Sequence, residues 1–268
     1  MSAGGSVTFV GAGPGAADLV TVRGARALAA ADVVVWAASL VHPDLLANAP
    51  VSAEIVDSST LTLESTVDIY RRAAADGLRV VRLHSGDPAL WGALQEQLDA
   101  CARLDLTVEV VPGVSSYAAA AAAAGRELTV PGVAQSVVLT RLGGGKTPMP
   151  ERESVQAFAR HGATMAVFLS AARTRQLAAE LTAGGYPPDT PVLVAYRVTW
   201  PDERLIWCTV ETLAATVREH RLWKHTLFLV GPALGATGRR SHLYHPGHFH
   251  GYRKADREAR IALRGGNG

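Results

Sequence analysis

A glycine-rich turn near the start of the chain has the residue types that can hold a phosphate-bearing cofactor. The segment VTFVGAGPGAADLVTV, residues 7–22, places β-forming residues before the turn and a helix-like stretch after it. Gly11, Gly13 and Ala16 fit the G-x-G-x-x-G/A pattern, in which amides at a helix start receive a pyrophosphate. The segment therefore predicts either a dinucleotide site or a tight strand-to-helix turn with another task.

Two features of the sequence weaken the dinucleotide interpretation. In a dinucleotide-binding fold, the acid that binds the ribose hydroxyls follows the second strand, whereas Asp32 precedes the apolar run Val33–Trp36. Pro14, inside the turn, has no amide hydrogen to offer a phosphate. An NAD-dependent oxidoreductase is therefore the alternative function from another class.

Two further segments repeat the arrangement of a strand, a turn and a helix. LHSGDPALWGA, residues 83–93, runs into a Gly-Asp-Pro turn, and VVPGVSSYAAAAAAA, residues 110–124, runs into a Pro-Gly turn. The carboxyl ends of parallel strands meet at one edge of a sheet, where open α/β folds bind their ligands. Together the three turns predict a binding site at that edge.

Apolar runs alternate with helix-like segments along most of the chain, which is typical of an α/β protein with largely parallel sheets. The strand-like runs are Val7–Val10, Val33–Trp36, Val80–Leu83, Val108–Val111, Ser136–Leu139, Thr164–Leu169, Pro191–Ala195 and Leu227–Val230. LGGGKTPMP, residues 142–150, predicts a mobile loop because glycine and proline interrupt both helix and strand.

We predict an N-terminal α/β domain over residues 1–133, a C-terminal α/β domain over 134–240 and a flexible, His-rich tail over 241–268. His245, His248 and His250 in the tail could bind a metal, but they are loosely spaced on a Pro- and Gly-rich segment. A solvated tail is the simpler interpretation, and no metal site is predicted.

Composition excludes several classes of function. The chain has 268 residues, 48% of them hydrophobic, and a net charge of +2. No apolar run reaches the ~20 residues needed to span a bilayer, and the first residues do not resemble a secretion signal. The arginines are scattered without a basic-aromatic array, so no nucleic acid is expected. With two cysteines that lack a metal-type spacing, we expect a cytoplasmic protein with reduced thiols.

Seven segments resemble the tetrapyrrole (corrin/porphyrin) methyltransferases, which use S-adenosyl-L-methionine and release S-adenosyl-L-homocysteine. They are VGAGPGAADLVTVRGARAL, WAASLV, HSGDPALWG, VPGVSSYAAAAAAAGRELTVPGVAQSVVLTR, FLSA, AYRVTWPDE and LFLVGPAL. With the strand that precedes the first of them, the resemblance runs from residue 7 to about residue 234. The resemblance implies a two-domain α/β fold, with a mostly parallel sheet in the N-terminal domain and a mixed sheet in the C-terminal domain. It also implies a cofactor in the interdomain cleft, a small-molecule tetrapyrrole in a trough beside it, and a homodimer.

Within this family, three segments resemble the subgroup that methylates carbon 11 of precorrin-4 or cobalt-precorrin-4 in cobalamin biosynthesis. They are SLV at 39–41, GRELTVP at 125–131 and YRVTWPDE at 196–203. Some family members carry an arginine soon after the Gly-Asp-Pro turn, where this chain has Trp91, Gly92 and Ala93, and this difference disfavours uroporphyrinogen-type methylation. The alternatives are another ring carbon of a precorrin, a diphthamide-pathway enzyme, or a binding module without catalysis.

The resemblance assigns candidate residues to the cofactor and to the substrate. Those for the cofactor are Pro14, Ser85, Gly86, Asp87, Leu90, Ser116, Tyr117, Leu169, Tyr196, Arg197, Val198 and Pro232. Asp87 also suits a helix start before Pro88, and Leu169 suits an ordinary core position. Because the macrocycle carries carboxylate arms, which arginine binds well, the substrate candidates are Arg126, Arg141 and Arg173, with Lys146 and Arg197 as further possibilities.

Methyl transfer from a sulfonium to carbon is a direct displacement with a good leaving group, so it needs neither a strong acid nor a metal. The main requirement is to hold the ring carbon in line with the methyl group while water is excluded. The sequence contains no convincing catalytic triad. His84, just before the Gly-Asp-Pro turn, is either a proton acceptor or a strand-end histidine with a structural role, and the catalytic residue stays unassigned.

Overall fold

The computed structural model describes residues 4–144, 148–237 and 241–265, and the strands in these ranges form two five-stranded sheets. The first sheet has the order β3-β2-β4-β1-β5, and every neighbouring pair is parallel. Its strands are β1 (Ser6–Gly11), β2 (Val33–Trp36), β3 (Glu54–Asp57), β4 (Arg79–His84) and β5 (Thr107–Val111). All five carboxyl ends therefore lie at one edge.

Three helices cover the two faces of the first sheet: α1 (Val22–Ala29), α2 (Leu63–Asp76) and α3 (Leu94–Arg103). Leu28 of α1 packs with Val34 and Val81 on one face, while Tyr70 of α2 packs with Phe9 on the other. A parallel sheet covered on both faces needs apolar residues along whole strands, and this requirement explains the continuous valine runs.

The second sheet is mixed, with the order β6-β7-β10-β8-β9. Its strands are β6 (Val137–Arg141), β7 (Thr164–Phe168), β8 (Pro191–Tyr196), β9 (Arg204–Thr209) and β10 (Thr226–Val230). Strand β6 is parallel to β7, whereas β10 is antiparallel to both β7 and β8. The start of β10 therefore lies at the same edge as the ends of β6, β7 and β8.

Four helices cover the second sheet. On one face lie α5 (Val155–Ala159), α6 (Thr174–Ala183) and α7 (Leu213–Glu219), whose apolar side chains pack against Met165, Val194 and Phe228. The other face is covered by α4 (Ser116–Ala123), whose alanines pack against Leu227 and Leu229. Helix α4 follows the last strand of the first sheet in sequence, so it carries the chain from one sheet to the other.

The architecture confirms the expected fold class, an α/β protein with a parallel first sheet and a mixed second sheet. All eight strand-like runs coincide with strands, while β3 and β9 were not predicted. Both are edge strands with exposed residues, and an exposed edge does not require an apolar run. The division at residue 133 stays a prediction.

The segment after the second sheet forms a short 3-10 turn, His242–Tyr244, and the helix α8 (Arg257–Gly265). Arg253 donates hydrogen bonds to the carbonyls of Leu243 and His245. Across the described residues there is no group of three His, Cys, Asp or Glu side chains placed to hold a metal. In the same ranges no helix is long and apolar enough to cross a membrane.

Three glycines allow the turns after β1, β4 and β5 to touch. A Cβ atom on Gly113 would lie 2.1 Å from the carbonyl oxygen of Gly86 and 2.7 Å from the Cα atom of Gly11. The three strands are neighbours in the order β4-β1-β5, so their turns must pack backbone to backbone. The glycines are required here for close approach rather than for flexibility.

We expect Gly113→Ala to lower the free energy of unfolding by about 3 kcal/mol, at the upper end of the range for overpacking, because the rigid Gly86 carbonyl cannot move aside. Chemical denaturation measures the change. Gly251→Ala is the control, since no atom of the described ranges lies within 4 Å of its added Cβ, and it should leave stability unchanged. Equal stabilities of the two variants would contradict the packing argument.

Candidate active site

The glycine-rich turn after β1 uses its amides for hydrogen bonds within the protein. The amide of Ala12 donates to the carbonyl of His84 at 2.7 Å. Gly13 and Gly86 pair reciprocally, with N···O distances of 3.2 and 2.7 Å. These amides are therefore not directed at a ligand, and the turn is not a pyrophosphate cradle.

The turn after β8 packs directly on the turn after β1. The indole Nε1 of Trp200 donates to the carbonyl of Pro14 at 3.0 Å, and the amide of Ala16 donates to Thr199 Oγ1 at 2.9 Å. A Cβ atom on Gly15 would lie 2.3 Å from the Trp200 ring. Gly15 thus leaves room for an indole from the second half of the chain.

A cavity of about 570 Å³ lies beside this contact, and we call it the junction cavity. Its walls come from both halves of the chain. From the first half they are Pro14, Ser39, Leu40, Ser85 and Ser116; from the second half they are Phe168, Leu169, Ala171, Ala172, Ala195, Arg197, Val198, Trp200, Trp223, Lys224, His225, Thr226 and Leu227.

Several residues predicted to bind the cofactor do line this cavity, namely Pro14, Ser85, Ser116, Leu169, Arg197 and Val198. Arg197 lies 4.1 Å from the centre of the Trp200 ring and pairs with Asp202, with an N···O distance of 2.9 Å. Five of the described turns and strand ends therefore converge at this cavity.

Other predicted residues support the cavity without lining it. The carboxylate of Asp87 accepts hydrogen bonds from the amides of Ala89 and Gly113, each at 2.8 Å. It thereby starts the turn and ties it to the turn after β5. Gly86 is buried beneath this contact, and the Leu90 amide donates to the Asp87 carbonyl at 3.2 Å.

Three of the residues predicted to bind the cofactor do not line the junction cavity, and their assignment stays a prediction. Tyr117 packs against the hydrophobic core beneath α4, and Tyr196 packs into the core on the opposite face from the cavity-lining Ala195. Pro232 follows the end of β10. Because β10 is antiparallel to β8, Pro232 lies at the far edge of the sheet from the cavity.

Sequence reasoning missed the residues before β10 and the tryptophan after β8. Trp223, Lys224 and His225 line the junction cavity, since the antiparallel β10 begins where β8 ends. Trp200 lies within the YRVTWPDE segment, of which only the first three residues were assigned. The sequence did carry a signal for Trp200, because a tryptophan in a turn before proline is expected to pack against another part of the protein.

A second cavity of about 670 Å³ contains Arg141 and Arg173, and we call it the arginine cavity. Its other lining residues are Trp91, Ala93, Leu139, Thr140, Gly144, Met149, Pro150, Glu153, Phe158 and Leu169. Arg141 donates to the carbonyl of Pro148 at 3.3 Å, and Arg173 donates to the carbonyls of Leu142, at 3.3 Å, and Gly143. Both arginines also hold the segment that follows β6.

The remaining substrate candidates lie elsewhere. Arg126 lies over the ring of Trp207, 5.6 Å from its centre. It lines neither cavity, and its assignment to the substrate stays a prediction. Arg197 lines the junction cavity instead. Lys146 lies outside the described residues.

Leu169 lines both cavities and marks the place where they meet. Its φ angle is 51°, in the left-handed region, and its side chain is 69% exposed. The neighbouring Ser170 fixes this turn, because its hydroxyl donates to the carbonyl of Phe168 at 2.6 Å and accepts from the amide of Leu142 at 2.9 Å. Two ligands in the two cavities would therefore face each other across Leu169.

The family model described as Tetrapyrrole (Corrin/Porphyrin) Methylases matches residues 6–214 of this chain. The chain belongs to this family. A precorrin-4 C(11)-methyltransferase of Mycobacterium tuberculosis is 47% identical over 233 residues, which cover 87% of this chain and 93% of the relative. The expected family resemblance is confirmed.

Solved structures of other tetrapyrrole methylases share the fold. A cobalt precorrin-4 methyltransferase, a cobalamin biosynthetic enzyme, matches with a TM-score of 0.82 and 43% identity, covering 85% of this chain and 95% of that one. A uroporphyrin-III C-methyltransferase from Thermus thermophilus, in complex with S-adenosyl homocysteine, matches with a TM-score of 0.72 and 31% identity over 86% and 99% of the two chains. The chain is therefore a C-methyltransferase, and the oxidoreductase alternative is not supported.

His84 of this methylase is buried beneath the Gly-Asp-Pro turn and lines neither cavity. Its ring centre lies 5.9 Å from that of Phe9, and Nε2 has no hydrogen-bond partner in the described structure. Burial, reinforced by the nearby Arg82, lowers the pKa of His84 to about 4 although Asp87 opposes the shift. His84 is therefore neutral at neutral pH and has a structural place rather than a contact with a ligand.

Burial of His84 predicts a loss of stability in mild acid. An unfolded histidine has a pKa of about 6.5, so the unfolded chain binds more protons than the folded protein between that pH and about 4. We expect the protonation of this histidine to lower the free energy of unfolding by about 2 kcal/mol when the pH falls from about 7.5 to about 5. Denaturant titrations of the wild type and His84→Gln at both pH values measure it.

The His84→Gln variant should lack this part of the pH dependence, whereas the exposed-residue control His161→Gln should keep it. If the stability difference between wild type and His84→Gln is the same at both pH values, the assignment of a depressed pKa to His84 is wrong.

Proposed function

We propose that this chain transfers a methyl group from S-adenosyl-L-methionine to carbon 11 of precorrin-4 or cobalt-precorrin-4 in cobalamin biosynthesis. The observation that carries the proposal is the pair of cavities that meet at Leu169, one at the junction of the two sheets and one containing two arginines. Relatives named for this reaction match most of the chain, which supports the choice of substrate.

The junction cavity suits the cofactor in size and in chemistry. Its volume of about 570 Å³ lies within the usual range for small-molecule sites. Trp223, which is 51% exposed at the cavity wall, offers an aromatic surface for an adenine ring. Ser116 begins α4 at the cavity wall, and within the described residues the side chain of the preceding Ser115 makes no capping hydrogen bond. The first amides of this helix therefore suit a carboxylate.

The arginine cavity suits a large acidic substrate. Arg141 and Arg173 supply positive charge and forked donors for carboxylate arms, and apolar side chains such as Leu139 and Phe158 supply surface for the ring system. The acidic Glu153 also lines this cavity.

The reaction requires orientation more than acid or base chemistry. S-adenosylmethionine supplies a methyl group on a positively charged sulfur, and the new bond to the ring carbon forms as the bond from sulfur to methyl breaks. The residues of this chain hold the ring carbon in line with the methyl and exclude water, which can account for a large part of the rate. Leu169 is placed to form an apolar wall at the meeting point of the two cavities.

The proposal also includes a homodimer in the cytoplasm and a division into domains of residues 1–133 and 134–240 with a tail over 241–268. Support for the homodimer is the resemblance to the family, and support for the domain division is the separate hydrogen bonding of the two sheets. Light scattering of the purified protein measures the assembly directly.

The substrate is tested by incubating the enzyme with S-adenosylmethionine carrying a ¹³C-labelled methyl group and either precorrin-4 or cobalt-precorrin-4. We expect one labelled methyl group per product, located at carbon 11 by NMR, and none without enzyme. Label at another ring carbon would support the alternative precorrin methyltransferase. Absence of transfer to both substrates would contradict the proposed substrate.

The cofactor site is tested by titrating S-adenosylhomocysteine and NAD in a calorimeter, with Ala172→Phe as the variant. Ala172 is exposed and lines the junction cavity, so the added ring should fill space without disturbing a core. We expect micromolar binding of S-adenosylhomocysteine, at least a tenfold loss in the variant and no binding of NAD. Ala102→Phe, on the exposed surface of α3, should bind like the wild type; equal losses in both variants would argue against this site.

A further inference from the structure

Trp91 is a large aromatic side chain left partly in solvent at the wall of the arginine cavity. It lies in the turn between β4 and α3 and is 42% exposed. Exposed apolar residues are common singly, but an aromatic side chain left partly open on a cavity wall is suited to contact with a ligand. The neighbours of Trp91 show what kind of ligand that is.

The backbone around Trp91 is held in an unfavourable conformation. Trp91 and Ala93 have φ angles of 52° and 48°, in the left-handed region that residues with a Cβ atom seldom adopt. Such conformations persist where surrounding structure enforces them, often at functional sites. The left-handed backbone of this turn therefore orients the Trp91 indole differently from a side chain at an ordinary helix start.

A buried hydrogen-bond chain enforces this turn from below. The amide of the Gln97 side chain donates to the carbonyl of Ala93 at 3.0 Å, and the Tyr70 hydroxyl donates to Gln97 Oε1 at 2.8 Å. Tyr70 and Gln97 are both buried. Gly92 adds close packing, because a Cβ atom there would lie 2.9 Å from Nδ1 of His84.

The indole also lies at the boundary between the two cavities. Its ring centre is 4.7 Å from that of Phe168, with the planes inclined by 42°. Phe168 lines the junction cavity and Leu169 lines both. A flat molecule resting on Trp91 would thus have one edge directed at the cofactor.

We propose that Trp91 is the surface on which the flat tetrapyrrole lies, and that this contact turns the reacting ring carbon toward the junction cavity. The inference rests on the proposed function. A flat ring system favours an offset contact with an aromatic face, while Arg141 and Arg173 in the same cavity attract its carboxylate arms. Trp91 is thus a substrate-orienting residue, and the arginines hold the periphery.

The first test compares Trp91→Phe, which keeps an aromatic face, with Trp91→Leu, which keeps apolar bulk without one. Trp207→Ala is the control, because Trp207 is exposed to a similar extent, 45%, and lines neither cavity. Thermal unfolding and S-adenosylhomocysteine binding establish that each variant is folded with an intact junction cavity. The probe is uroporphyrin III, a flat octacarboxylate, whose binding is followed by its absorbance and needs no turnover.

We expect Trp91→Leu to weaken uroporphyrin III binding at least tenfold and Trp91→Phe to remain within about threefold of the wild type. Binding of S-adenosylhomocysteine should change less than twofold in every variant. Equal affinity of the wild type and Trp91→Leu for the porphyrin would overturn the proposal, and so would a wild type that binds no porphyrin at all.

The second test uses turnover with precorrin-4 and separates this inference from the proposed function. In Trp91→Leu we expect a higher KM for the macrocycle, a lower kcat and a fraction of product methylated at another carbon. Wild-type constants and an unchanged product in this variant would also overturn the inference. If the wild type binds the porphyrin in a Trp91-dependent manner but methylates neither precorrin, the proposed substrate fails and the role of Trp91 stands.

Discussion

The hydrogen bond from the Trp200 indole to the Pro14 carbonyl is the contact on which the rest of the site depends. It joins the turn after β1 to the turn after β8, and a second bond from the Ala16 amide to Thr199 accompanies it. The junction cavity lies beside these two turns and takes walls from both sheets. A shift of one turn relative to the other would therefore change the shape of the cavity, even if each sheet stayed folded.

This contact also explains why the glycine-rich turn resembles a dinucleotide loop without acting as one. The local sequence needs small residues in both cases, because a backbone must approach either a phosphate or another part of the protein. Here the close partners are Gly86, Gly113 and the Trp200 ring. The missing amide of Pro14 brings no penalty, since its carbonyl makes the contact. A local pattern can predict that something approaches the turn, but only the fold decides what it is.

Residues of the first sheet were predictable because its strands are parallel. Their carboxyl ends must share an edge, and Pro14, Ser85 and Ser116 follow three of those ends. The second sheet is mixed, and a single sequence does not reveal that β10 runs against β8. The sequence therefore offered no reason to expect His225 and its neighbours at this edge, where the structure places them. Edge strands β3 and β9 were missed for a different reason, since their exposed faces carry polar residues.

Two of the residues with an unfavourable backbone conformation lie where the two cavities meet. Leu169, at the meeting point of the cavities, and Trp91, beside it, both have left-handed backbone conformations. A displacement without acid or base catalysis depends on alignment, and a misplacement of ~1 Å can reduce the rate about 100-fold. Side chains on flexible loops could not be positioned with that precision. Buried Gln97 and Ser170 each make a hydrogen bond to the turn that they support, which explains how the chain maintains both conformations. These buried polar side chains fix the geometry on which methyl transfer depends.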